Sequence, residues 1–107
     1  MYSYDRRAAI PCGECFSWAY REVRESGGIL VHAKVSFWGK TFDHAWIEKG
    51  GKVYDWQTMV AGFGGKFRGK GYPEAVYAEL WQPSGVKVFN KTEALVASAR
   101  AGHYGPW

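Results

Sequence analysis

The dipeptide Gly50-Gly51 constrains this chain more than any other feature. Lys49 and Lys52 flank it, and beyond them lie two segments in which bulky and polar residues alternate, FDHAWIEK before and KVYDWQ after. Glycine tolerates the positive φ angles of the tight turns that join antiparallel strands, so this pattern predicts a β-hairpin with a two-residue loop. The loop length then sets the register: Lys49 opposite Lys52, Trp46 opposite Asp55 and His44 opposite Gln57. His44, Trp46, Asp55 and Gln57 share one sheet face. His44 and Asp55 become diagonal neighbours with Cα atoms roughly 7 to 8 Å apart, within reach of a carboxylate for an imidazole nitrogen. One more loop residue would turn Asp55 to the opposite face.

Other glycines punctuate the rest. Gly27-Gly28 and the stretch from Gly62 to Gly71 divide the chain further. In the first piece, apolar residues at 12, 15, 16, 19, 20 and 23 follow the spacing of one helical face, which predicts a helix over 13–26, with Pro11 before it and Gly27 ending it. Strands are predicted over 30–38, 42–49 and 52–57, where Val, Ile, Phe and Trp concentrate. Residues 76–82 and 86–89 read as two more strands joined at Pro83-Ser84-Gly85. Asn90 with Glu93 three residues later makes a capping-box start for a last helix over 91–101, ended by Gly102. A chain of 107 residues has room for one domain, 1–107. The predicted class is α+β: an N-terminal helix packed on a small antiparallel sheet, with a C-terminal helix.

Composition narrows the function classes. No window approaches the roughly 20 apolar residues of a membrane-spanning helix. The opening MYSYDRRAAIP has no apolar stretch with a cleavage site, so a cytoplasmic protein with no membrane partner is expected. Net charge is +4, but the basic residues are interleaved with Glu; Lys66, Arg68 and Lys70 cluster in a glycine-rich segment that reads as a solvated turn. Nucleic acid is therefore not the expected partner. With only two cysteines there is no disulfide framework, and a close pair in a reducing compartment points instead to catalysis, redox chemistry or metal binding.

Cys12 and Cys15 form C-x-x-C. A thioredoxin-type motif follows a strand in a βαβ unit, and residues 1–11 contain no convincing strand. A zinc site needs two more ligands, and His32 with His44 does not match a finger spacing. No metal and no cofactor are expected. His32 and His103 default to structural or surface roles, and the terminal HYGPW is expected to fold back over apolar surface. Cys15 is different: it lies near the start of the predicted helix, where backbone N–H groups and the helix dipole favour a thiolate. Cysteine, histidine and aspartate thus arise in three separate elements. A thiolate paired with an imidazolium that a carboxylate orients is the arrangement for attack on a carbonyl carbon.

These residues resemble a known family. GECFSWA, residues 13–19, is similar to the G-x-C-x-x-x-A that opens the nucleophile helix of transglutaminase-like cysteine enzymes. DHAWIEKGGKVYDWQ, residues 43–57, is similar to their H-A-W-x-E followed by a short hairpin to V-x-D, and the order Cys, His, Asp agrees. The resemblance implies a reduced papain-like fold, with Cys15 as nucleophile, His44 as general base and acid, and Asp55 orienting His44. It also implies hydrolysis, deamidation or acyl transfer at amide bonds of a protein or peptide through a thioester. Tyr2, Tyr4 and the backbone N–H of Cys15 are candidate oxyanion donors, and so short a chain implies a shallow site. The competing expectation is a non-catalytic binding module of the same fold that contacts a protein or nucleic acid.

Overall fold

A computed structural model describes residues 13–37, 39–56 and 69–107. Tyr2, Tyr4, Pro11, Cys12, Trp38, Gln57, Lys66 and Arg68 lie outside the described residues, as do the readings that rest on them. The first helix, α1, spans Gly13–Ser26. Its stripe Cys15, Phe16, Ala19, Tyr20 and Val23 is buried, as the helical spacing requires. Glu14 in the first turn and Arg24 in the last complement the helix dipole. Gly27, at φ +82°, ends α1 by donating its N–H to the Val23 carbonyl at 3.1 Å.

Strands β1 (Ile29–Phe37), β2 (Lys40–Lys49) and β3 (Lys52–Tyr54) follow. Lys49 pairs with Lys52 across the Gly50-Gly51 turn, whose φ angles of 60° and 77° are those of the predicted primed turn. A short edge strand β4 (Tyr72–Pro73) and the strand β5 (Ser84–Phe89) complete an antiparallel sheet of order β4-β3-β2-β1-β5. Proline is tolerated in β4 because the strand sits at the sheet edge.

Both faces of the sheet are covered, and each carries its own core. On one face Leu30, Ala45 and Ile47 meet α1 and Ala94 of the helix α3 (Lys91–Ala101). On the other, Val31, Ala33, Val35, Phe42, Trp46 and Val53 meet Tyr77 and Trp81. The period-two alternation of β1 and β2 feeds both cores at once. The Asn90–Glu93 capping box is formed, with reciprocal bonds of 2.9 and 2.8 Å, and Gly102 ends α3 at φ +76°. The C-terminal residues fold back as expected: Tyr104 lies on Tyr20 with ring centroids 4.7 Å apart, and Trp107 packs on Phe89 and His32.

Residues 76–82 correct the sequence reading. The segment predicted as a strand lies in a helix, α2, spanning Glu74–Trp81. Pro73 precedes the helix with φ −56°, Glu74 supplies an acid to the first turn, and Ala75, Ala78, Glu79 and Leu80 are strong helix formers. Only Tyr77 and Trp81 are buried. Their separation is four residues, the repeat of a helix lying on one face. The β-forming appearance of Val76, Tyr77 and Trp81 reflects their bulk. The described residues therefore form an α+β structure of three helices and five strands, of which the sequence reading anticipated two helices.

Candidate active site

The β2–β3 ladder runs from Lys49↔Lys52 to Ile47↔Tyr54 and stops. Just beyond that end, three side chains from different elements are gathered: Cys15 from the first turn of α1, His44 from β2, and Asp55 immediately after β3. The hairpin register set by Gly50-Gly51 puts His44 and Asp55 on the same face. His44 Nε2 is 3.7 Å from Asp55 Oδ2, the separation of an ion pair rather than of a short hydrogen bond.

Cys15 belongs to the core under α1, whereas His44 is packed among rings of the opposite core. The Trp81 indole is stacked on the imidazole at 5.6 Å and 14°. Phe42 stands edge-on at 5.9 Å, and Trp46 lies at the same distance. These rings leave the imidazole little freedom to rotate.

The electrostatics follow from burial. Cys15 is 1% exposed, and His44 and Asp55 are 0% exposed. Burial is the largest single influence on His44 and by itself disfavours the imidazolium. Hydrogen bonding and charge from Asp55 and Cys15 together outweigh it, raising the histidine from its ordinary 6.5 to about 9. Both the acid and the sulfur favour the imidazolium over the neutral ring. The rings packed on His44, those of Phe42, Trp46 and Trp81, all belong to the core on the α2 side of the sheet. Helix geometry supplies one more component, since the N–H groups of the first turn of α1, that of Cys15 among them, point out of the N-terminal end of the helix.

Two neighbours went unanticipated because α2 was read as a strand. Trp81 covers His44, and Tyr77 is buried beside Trp46 and Trp81, where burial and then the charge of Asp55 push it well above the usual tyrosine range. The signal available in the sequence was the four-residue spacing of Tyr77 and Trp81 after Pro73-Glu74.

His32 is also buried, at 4% exposure, but away from this cluster. Phe16, Phe89 and Trp107 surround it at 4.8 to 5.1 Å, and neither ring nitrogen has a hydrogen-bond partner among the described residues. Burial, reinforced by Lys87, lowers it to about 4. It is a neutral core residue, and His103 is exposed. Among the described residues no three His, Cys, Asp or Glu side chains are grouped to ligate a metal ion, and no helix is long and apolar enough to cross a membrane. Compared with known proteins, the chain matches no family model, and no curated protein or solved structure is significantly similar to it.

Proposed function

We propose that the chain is a cysteine-dependent hydrolase or acyltransferase of the transglutaminase-like and papain-like type, acting on amide bonds of a protein or peptide. The observation that carries this reading is the gathering of Cys15, His44 and Asp55, far apart in sequence, into one buried cluster with His44 Nε2 3.7 Å from Asp55 Oδ2. The resemblance of residues 13–19 and 43–57 to the family's two motifs supports it independently.

In this reading Asp55 holds Nε2 of His44, which leaves Nδ1 to exchange a proton with Cys15. The Cys15 sulfur attacks the amide carbonyl carbon as a thiolate. The negative charge that develops on the carbonyl oxygen is met by backbone N–H groups of the first turn of α1, that of Cys15 among them. The imidazolium of His44 protonates the leaving nitrogen as the C–N bond breaks, giving an amine and a thioester on Cys15. Neutral His44 then removes a proton from water or from an acceptor amine as that nucleophile attacks the thioester. The acyl group leaves, and the proton on His44 is again shared with the sulfur. Burial favours this chemistry because charges act more strongly on each other where water is excluded.

The test uses a small electrophile. Iodoacetamide at neutral pH labels Cys15 faster than Cys12, and His44→Ala removes the preference. Equal and slow labelling of both cysteines in the unsubstituted protein refutes the reading and identifies Cys15 as an inert core thiol.

A further inference from the structure

Away from Cys15, His44 and Asp55 lies a cavity of about 150 Å³ bordered by Phe16, His32, Lys34, Asp43, Lys87 and Trp107. His32 is 4% exposed, and neither of its ring nitrogens has a hydrogen-bond partner among the described residues. A neutral imidazole carries one N–H to donate and one lone pair to fill, and leaving both unmet in a protein interior costs free energy. The ring cannot turn to find partners elsewhere. Phe16, Phe89 and Trp107 hold it at 4.8 to 5.1 Å, and Gly105 lies so close that a Cβ added there would be 2.5 Å from Cε1 and 3.1 Å from Nε2. A side chain fixed with its polar atoms unmet on the wall of a cavity points to a guest that meets them.

The surrounding charges select the guest. β1 contributes Lys34 and β2 contributes Asp43, which pair at 3.1 Å and offset each other. β5 contributes Lys87, whose Nζ donates to the Trp107 carbonyl oxygen at 3.0 Å. That bond uses one of its three N–H groups, and among the described residues no second acid borders the cavity to match its charge. α1 and the C-terminal residues face His32 with the uncharged rings of Phe16 and Trp107. We infer that this cavity binds a short-chain monocarboxylate, whose oxygens accept from the His32 N–H and from Lys87 Nζ while its alkyl end lies against the Phe16 and Trp107 rings. One unmatched cation calls for one negative charge, and a dianion would bring a second charge into the interior with nothing to offset it. Burial, and then Lys87, keep His32 neutral, so the ring offers one N–H rather than two. A cavity of this volume takes a guest the size of benzene, about six non-hydrogen atoms, and propionate falls within that limit.

NMR of ring-labelled histidine in the full chain at pH 7 tests this without reference to Cys15. Sodium propionate, added at constant ionic strength against sodium chloride, should shift the His32 resonances saturably and leave those of the exposed His103 where chloride leaves them. Propionamide, its uncharged isostere, should bind at least about tenfold more weakly. Lys87→Met, which retains the aliphatic stem, should weaken propionate by a similar factor, the loss expected with one charge-assisted hydrogen bond. The side chain of a peptide glutamate carries the same headgroup, so N-acetylglutamate α-amide, too large for the cavity, distinguishes a free acid from part of a chain: it should not displace propionate. The ligand comparisons need no variant and decide the matter if Lys87→Met fails to fold. The absence of a saturable shift at His32, equal affinity for propionamide, displacement by the glutamate derivative, or undiminished binding in folded Lys87→Met overturns the inference.

Discussion

The two buried histidines impose opposite pH dependences on stability, and the acid side can be worked out in detail. His32 is held neutral in the fold, with a folded value of about 4 against 6.5 when unfolded. As pH falls below 6.5 the unfolded chain takes up a proton that the folded chain refuses, so stability is lost progressively down to about pH 4. The gap between 6.5 and about 4 sets a limit of about 3 kcal/mol. A cavity of about 150 Å³ beside His32, bordered by Lys34, Asp43 and Lys87, admits solvent that screens the new charge. We therefore expect a loss of about 1 to 2 kcal/mol, equivalent to roughly 4 to 12 °C in Tm for a domain of this size. The perturbation is His32→Leu, which keeps an apolar group in the ring of Phe16, Phe89 and Trp107 and removes the titration. Thermal melts of both proteins at several pH values cancel the carboxylates that they share. The Tm difference between variant and parent should move in favour of the variant by that amount between about pH 7 and pH 4.5. A difference independent of pH would refute the assignment of a neutral, buried His32. His44 acts with the other sign: its folded value of about 9 lies above 6.5, so its contribution is complete below pH 6.5 and is lost as pH rises toward 9.

Two substitutions test the local structure that positions the site. Gly28→Ala should destabilise by about 2 kcal/mol or more, measured by urea titration, because Gly28 lies at φ +86° and an added Cβ would come within 2.9 Å of the Glu48 carbonyl oxygen; a loss under half that would show that the α1–β1 turn yields. Asn90→Ala should cost about 1 kcal/mol, since it removes the 2.8 Å bond to the Glu93 N–H, and the loss should be visible as earlier fraying of α3 in amide exchange.

The legible parts of this chain were those in which local chemistry allows a single answer. Glycine pairs admit few turns, so the hairpin register, and with it the pairing of His44 with Asp55, followed from a loop length. The Asn90–Glu93 box and the stripe of α1 are equally local, and both helices form over the ranges their signals imply. Residues 74–81 were misread for a different reason: Val76, Tyr77 and Trp81 look β-forming by residue type, whereas the helix formers among them and the four-residue spacing of Tyr77 and Trp81, which packs Trp81 on His44, carry the helical period. The aromatic surroundings of His44 were hidden in the same way, because Trp46 of β2 and Trp81 of α2 converge on it only in the folded chain.

That convergence also bears on how the site is held. Cys15 is part of the core under α1, while Trp46, Tyr77 and Trp81 form the core against α2, and His44 lies among the rings of the latter. The contact between Cys15 and His44 is thus a junction between two separately packed layers. A cavity opened in either one can move one partner without unfolding the other. Loss of the imidazole–sulfur contact should therefore precede global unfolding in any variant that loosens a single face, and the alkylation pH profile of Cys15 should change before the melting curve does.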